Sequence, residues 1–253
     1  MVKQYGEAVE DIMYGMANSA TQAARKMVPV TATLSSRSDT GRRGEREIDP
    51  LDRVSTGVEF IKGRAIYYEG DEAQHYFKIA SGVVRLCKVT EDGRRQIAAF
   101  LTAGDFLGWT VHDHYSYSAE AVTRVTAVKY SRRRVEDIVR TDPMVARRVL
   151  TLLSNQLALA HDHLLLLGRM TAAERISAFL LELTKRRGCP LTDATTIELP
   201  MNRRDIADYL GLTIETVSRT MNAMKRNGLL SFTDADSVRL NHCDALERMA
   251  MAA

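Results

Sequence analysis

The sequence predicts an α+β fold: an N-terminal β-roll, one long helix and a C-terminal winged helix-turn-helix. Three observations predict it. Glycines recur at Gly70, Gly82, Gly93 and Gly104, which are 12, 11 and 11 residues apart, and that is the rhythm of turns between short strands. Leucines and alanines keep a strict 4-3-4-3-4-3 spacing from Ala146 to Leu167, which one helix gathers onto a single seam. Two short capped helical patterns then flank Gly211 and lead into a run that reads as a hairpin.

Residues 1–47 read as an N-terminal extension. Val9, Ile12, Met13, Met16, Ala20 and Met27 recur at roughly helical spacing. The run from Thr31 to Glu47 is rich in Ser, Thr, Arg and Gly and reads as a flexible linker, because it holds too little apolar material to offset the entropy of ordering it. Residues 48–140 are the β-roll. Its clearest hairpin signal is Glu91-Asp92-Gly93-Arg94, where an Asp-Gly pair takes the positive φ of a tight turn.

Residues 141–168 form the long helix. Asp142 is its N-cap and Pro143 suits its first turn, where a missing N–H costs nothing. The seam comprises Ala146, Leu150, Leu153, Leu157, Ala160, Leu164 and Leu167, and such a seam wants a partner helix. An ordinary core helix within one chain is the rival reading of so short a heptad run. Leu152, Leu159, Leu165 and Leu166 lie off the seam and are expected to pack on the β-roll.

Residues 169–253 form the last domain. Thr171 and Glu174 make a capping box for a helix whose buried stripe is Ile176, Phe179, Leu180 and Leu183. Asn202 caps the next helix and Gly211 breaks it. Thr213 caps the third, which ends at Gly228. Ile206, Leu210, Leu212, Val217, Met221 and Met224 are expected to face inward, and LLSFTDADSVRL to form the wing.

Composition excludes several classes. The 253 residues are 45% hydrophobic, with no apolar run of eighteen or more, so no membrane-spanning helix is expected. Glu7, Glu10 and Asp11 argue against a signal or transit peptide, which points to the cytoplasm. Cys87, Cys189 and Cys243 are few and far apart, offering neither a disulfide framework nor a CxxC site. No acid–base pair, nucleophile elbow or P-loop is visible, so an enzyme is not expected. The net charge of +3 divides as +1 in each of residues 1–47, 48–168 and 169–253. Composition alone therefore gives no basic footprint, and a nucleic-acid reading must rest on local pattern.

That pattern lies in the third helix of the last domain. Glu215, Ser218, Arg219 and Asn222 share its outer face at i, i+3, i+4 and i+7, toward the end of a recognition helix that meets base edges. Arg219 suits the O6 and N7 of guanine, Glu215 the N4 amino group of cytosine, and Ser218 a neighbouring base. Arg203, Arg204, Thr213 and Thr216 stand where phosphates would run, contacts that set register without reading sequence. The bland reading of Glu215 and Arg219 is an i,i+4 surface ion pair of about 0.3–0.5 kcal/mol.

With these elements in order, residues 50–247 resemble the cyclic-AMP receptor protein and FNR superfamily of bacterial transcription regulators, whose β-roll is a jelly roll of the cyclic-nucleotide-binding kind. The most specific element is GLTIETVSR, residues 211–219, which is similar to the E-x-x-S-R recognition signature of the FNR and FixK branch. Ile214 stands where cyclic-AMP receptors carry another arginine. Tyr76 to Ile79, the run Gly82-Val-Val-Arg-Leu-Cys-Lys88, and Gly93-Arg-Arg-Gln-Ile97 are most similar to FixK-type regulators. The resemblance implies a homodimeric activator that binds double-stranded DNA at TTGAT-type palindromes and works with RNA polymerase on low-oxygen or nitrogen-fixation genes.

The resemblance also implies what is missing. Trp109 follows the Gly104–Gly108 turn where a ribose-binding glutamate is expected, and Tyr117-Ser118 replaces the phosphate-binding Arg-Ser pair; no cyclic nucleotide is expected. Residues 1–86 hold no cysteine, so the iron-sulfur cluster of oxygen-sensing FNR proteins is not expected, nor any other cofactor or metal. Asn202 occupies the place of a redox cysteine found in some FixK-type members. A metal or haem site from His112, His114 and Cys87 lacks a supporting spacing signature. The alternative to a FixK-type activator is a haem- or small-molecule-gated regulator of the same fold.

Overall fold

Eight strands build the N-terminal part of the chain: β1 (Ser55–Phe60), β2 (Ala65–Tyr67), β3 (His75–Ser81), β4 (Val84–Val89), β5 (Arg95–Leu101), β6 (Phe106–Leu107), β7 (Ser118–Ala121) and β8 (Val125–Ser131). The computed structural model describes residues 55–251 except Ala235, so the expectations for residues 1–47 lie outside the described residues. The strands form two antiparallel four-stranded sheets, ordered β1-β8-β3-β6 and β2-β7-β4-β5. This is a double-sheet jelly roll. Tyr67, Phe77, Ile79, Val84, Leu107 and Val125 fill the space between the sheets.

All four evenly spaced glycines take positive φ, from +80° to +95°, where a Cβ would be strained. The β4–β5 hairpin differs from the expected tight turn. Gly93 alone has positive φ; Thr90 and Arg94 close the loop, with Thr90 N–H donating to Arg94 O at 2.9 Å. Asp92 instead accepts from Thr90 Oγ1 and Arg94 Nε, so its side chain does the work that a second left-handed residue would do.

Farther along this hairpin the register passes from Cys87↔Ile97 to Leu86↔Ala99, leaving Ala98 as an extra residue. The bulge shifts the alternation of side chains. Ile97 and Phe100 thus join Cys87 on the outer face of the sheet, while Leu101 and Val84 remain inside.

Helix α1 (Arg132–Thr141) follows β8, within the stretch that the sequence assigns to the β-roll. Its run of arginines and acids hides a narrow apolar edge, Val135 and Val139. Helix α2 (Pro143–Arg169) then runs for 27 residues, with Asp142 Oδ1 accepting from Met144 N at 2.9 Å and Val145 N at 3.2 Å. Of the leucines expected on the β-roll, Leu166 is buried in the C-terminal core and Leu152 is half-buried, but Leu159 and Leu165 are exposed. Leu159 faces a cavity rather than a packed surface, and Leu159 and Leu165 both line an open groove beside the C-terminal helices. No helix among the described residues is long and apolar enough to cross a membrane.

The C-terminal part begins with α3 (Ala172–Arg186), whose capping box closes with Thr171 N–H donating to Glu174 Oε2 at 2.7 Å and Glu174 N–H to Thr171 Oγ1 at 3.4 Å. Next come β9 (Thr195–Glu198), α4 (Arg203–Leu210), α5 (Ile214–Arg226), β10 (Leu230–Asp234), β11 (Ser237–Leu240) and α6 (Cys243–Met251). β10 and β11 are the wing hairpin, and β9 adds a third strand beside β11. The Ile176, Phe179, Leu180 and Leu183 stripe is buried, as are Ile206, Leu210, Val217, Met221 and Met224. Leu212 packs partly against the same core.

This core is continuous with the outer face of the β2-β7-β4-β5 sheet, where Val83, Cys87, Ile97, Phe100 and Val122 meet the C-terminal helices. The Phe100 ring lies 5.2 Å from that of Tyr209 and 6.3 Å from that of Phe179. Burial pushes the Cys87 and Cys243 thiols above their ordinary range, which keeps them protonated and poorly nucleophilic.

Candidate nucleic-acid interface

The α4–α5 pair is fixed at each end by its own sequence. Asn202 Oδ1 accepts from Asp205 N–H at 2.8 Å and starts α4. Gly211 ends it in the left-handed region, at φ +62° and ψ +38°. Thr213 Oγ1 accepts from Thr216 N–H at 3.2 Å and starts α5. Only three residues separate the helices, so the angle between them is set by the Gly211 backbone and by the packing of Leu212 on the core.

Arg175 of α3 locks this corner. Its Nε donates to Met170 O at 2.9 Å, Nη2 to Leu167 O at 2.9 Å and Nη1 to Leu210 O at 2.8 Å. One guanidinium therefore satisfies carbonyls at the ends of both α2 and α4, groups that have no partner within their own helices. Nothing in the sequence spacing singles out Arg175 for this role.

Helix α5 buries Val217, Met221 and Met224 and turns its other side outward. Glu215, Arg219 and Asn222 are exposed on that side and Ser218 is half-buried. Glu215 bends toward the start of its own helix; a first-turn backbone amide and the Thr213 hydroxyl hold its carboxyl below the ordinary range. The i,i+4 pair with Arg219 is not among the ion pairs of the described residues, which leaves the Arg219 guanidinium extended from an open helix face.

The residues expected at phosphates separate into two settings. Thr213 is exposed and Thr216 half-buried at the α4–α5 corner, and Arg204 is exposed in the first turn of α4. Arg203 is half-buried, stacked over the Phe232 ring of the wing at 5.2 Å with its Nη1 against Met221 Sδ. Burial lowers its pKa. Lys225 lies over the same ring at 5.5 Å, so Phe232 gathers two cations beneath the wing.

The α2 seam is mostly bare. Leu150 and Leu164 are each 64% exposed, Leu157 is 57% exposed, and Leu153 and Ala160 are also exposed. Ala146 is half-buried at the start of the helix, and Leu167 packs into the C-terminal core beside Gly211.

A cavity of about 360 Å³ opens between the β-roll, α2 and the C-terminal helices. Tyr67, Trp109, Tyr117, Gln156, His163 and Arg186 are among its walls. Trp109 stacks on Tyr76 at 4.2 Å, and its buried Nε1 has no acceptor among the described residues. His163 stacks on Tyr209 at 4.2 Å, and burial lowers its pKa. His112 and His114 are exposed in the β6–β7 connection while Cys87 is buried under the C-terminal core, so the structure does not bring these three together. No group of ligating side chains suited to a metal occurs among the described residues.

Comparison with known proteins agrees with this arrangement. Residues 174–249 match the family model of the Crp-like helix-turn-helix domain, and residues 58–142 that of the cyclic nucleotide-binding domain. The chain is 41% identical over 197 residues to the nitrogen fixation regulation protein FixK of Azorhizobium caulinodans, covering 78% of this chain and 79% of that one. It is 38% identical to the FixK protein of Bradyrhizobium diazoefficiens, covering 73% and 78%. The solved structure of FixK2 from Bradyrhizobium japonicum superposes with a TM-score of 0.73 at 38% identity, over 79% of this chain and 99% of that one.

Proposed function

Because the chain belongs to the Crp/FNR family of transcription regulators, in its FixK-type branch, we propose that it binds TTGAT-type palindromes as a homodimer and thereby activates low-oxygen or nitrogen-fixation genes. It is a DNA-binding regulator and not an enzyme. The observation that carries the specific reading is the open face of α5, where Arg219 stands exposed beside Ser218 and Glu215 on a helix whose opposite side is buried. Arg219 pairs with a guanine, Glu215 with a cytosine amino group and Ser218 with an adjacent base. Arg204, Thr213 and Thr216 meet phosphates, and Arg203 does so from its seat on Phe232.

A second copy is the occupant that suits the bare α2 seam, because the same heptad stripe on both helices is self-complementary about a two-fold axis. That pairing sets two recognition helices about 34–36 Å apart, one turn of DNA. Activation then requires contact with RNA polymerase at the promoter, in the cytoplasm. No cyclic nucleotide binds: Trp109 and Tyr117 supply aromatic faces where ribose and phosphate would need polar partners, and Arg186 is already held by Asp105.

Selection of bound sequences from a random DNA pool, at fixed and stated salt, tests the proposal. It should recover TTGAT palindromes; a non-palindromic consensus would overturn the dimer. The cavity with its unpaired Trp109 N–H favours a second reading, a regulator gated by haem or a small aromatic molecule. Freshly purified protein with a Soret band, or with a bound aromatic molecule by native mass spectrometry, would establish that reading instead.

A further inference from the structure

The recognition unit is held against the β-roll by charge as well as by apolar packing, and the residues involved belong to two sequence motifs that DNA contact leaves unexplained. Arg85, in the run from Gly82 to Lys88, points outward from β4. Its Nη1 donates to Asp205 Oδ1 and Oδ2 at 3.1 and 3.0 Å, while Nε and Nη2 donate to Glu120 Oε2 at 2.9 and 2.6 Å. Arg95, in the run from Gly93 to Ile97, points the same way from β5. Its Nη2 donates to Asp205 Oδ1 at 2.6 Å and its Nε to Asp208 Oδ2 at 2.8 Å.

Asp205 and Asp208 are i and i+3 on α4, so they share a face. Asp205 is 1% exposed, and its backbone is pinned by the Asn202 cap. A carboxylate so buried is held by its two arginines, because a buried charge left without partners is costly. Each arginine spans two carboxylates with the fixed fork of its guanidinium, which fixes direction as well as distance. A second strap runs from α3, where Arg186 Nη1 donates to Phe100 O at 2.9 Å and Nη2 pairs with Asp105. None of these groups lies on the outer face of α5, which stays open while the unit is docked.

We propose that Arg85 and Arg95 are positioning residues for DNA recognition: by gripping Asp205 and Asp208 they fix the direction of the helix-turn-helix relative to the β-roll, and hence the half-site spacing that the dimer accepts. This rests on the homodimer reading. In a dimer joined along α2, whether both recognition helices reach successive major grooves depends on how rigidly each unit is held to its own β-roll. The motif arginines, 110 and 120 residues away from Asp205 along the chain, thereby act on specificity without touching DNA.

The test measures affinity for the selected palindrome and for versions with one or two base pairs added or removed at its centre. Wild-type protein should favour its natural spacing by about a hundredfold, since rigid geometry decides whether both half-sites are engaged at once. In Arg85→Gln/Arg95→Gln that preference should shrink to about threefold or less, with affinity for an isolated half-site unchanged. Arg95→Lys is the gentler variant: it keeps the charge but has no fork with which to span Asp205 and Asp208, and it should lose part of the preference while unfolding at the wild-type temperature. Arg94→Ala, at the hairpin tip with an 82% exposed arginine paired to Asp92, should keep the full preference.

An unchanged spacing ratio in folded Arg95→Lys and in the double variant would overturn the inference. Tighter binding of every site by the variants would also overturn it, because the network would then be holding an inactive orientation. A wild-type protein with no spacing preference would instead refute the homodimer reading on which the inference stands.

Discussion

Shortening Leu157 should weaken self-association without unfolding the protomer. Full burial of a leucine side chain is worth about 1.5–3 kcal/mol, and Leu157 is 57% exposed. A partner helix can therefore still remove from water a share worth about 0.9–1.7 kcal/mol in each protomer. The two-fold axis counts that share twice, giving about 2–3 kcal/mol per dimer. At about 1.4 kcal/mol per factor of ten, and allowing for the methyl that alanine keeps, Leu157→Ala should raise the dimer dissociation constant about 10- to 100-fold.

Sedimentation equilibrium across a concentration series measures this directly. Met144→Ala is the control: Met144 is 64% exposed on α2, but two residues before Ala146 it lies about 160° around the helix from the seam. Equal dissociation constants for the two variants would refute the seam. A wild-type chain that stayed monomeric at every concentration would do so as well.

Other outcomes follow from the interface and its supports. Arg219→Ala should lose about 1–3 kcal/mol of discrimination at the guanine of each half-site, seen as near-equal binding of TTGAT and mutated sites by fluorescence anisotropy. Gly211→Ala places a Cβ in the left-handed region and 3.2 Å from Leu167 Cδ2. It should cost about 1–2 kcal/mol, lowering Tm by about 2–8 °C in a thermal melt. Burial raises the Glu182 carboxyl above its ordinary range, against the lowering effect of Arg186. The folded state therefore holds this proton more tightly than the unfolded chain, so stability is lost as pH rises from the ordinary carboxylate range through the raised value. Glu182→Gln should remove that loss, flattening Tm against pH over the window; an unchanged slope would show that Glu182 does not titrate differently on folding.

Much of this molecule is written locally. Asp142, Thr171, Asn202 and Thr213 all cap the helices that their sequence context assigns to them, because a cap is a contact between residues two or three apart. The turn glycines are legible for the same reason. Helix α1 was not, since Arg132 to Arg140 shows only a thin apolar edge, and β9 was not, since TTIE is four residues long and polar at its start. The helical wheel of α2 assigns Leu159 a direction, but only tertiary structure shows that this direction ends in a cavity. Within the candidate interface, the exposed Glu215 and Arg219 could be read from period alone. The capture of Arg203 by Phe232 could not, because it joins α4 to a wing strand nearly thirty residues later.

The single extra residue in β5 has a consequence for how such chains can be recombined. By turning Ile97 and Phe100 away from the barrel, Ala98 makes one sheet a wall of two cores. A fragment holding only residues 169–253 would leave Phe179 and Tyr209 without the Phe100 ring they meet. A graft of this C-terminal part onto a foreign β-roll should therefore fold well only if the donor sheet brings an equivalent bulge and aromatic. The two halves behave as one heritable unit, and exchange between relatives is constrained at Ala98, in the wall of the cavity rather than on the DNA-reading helix.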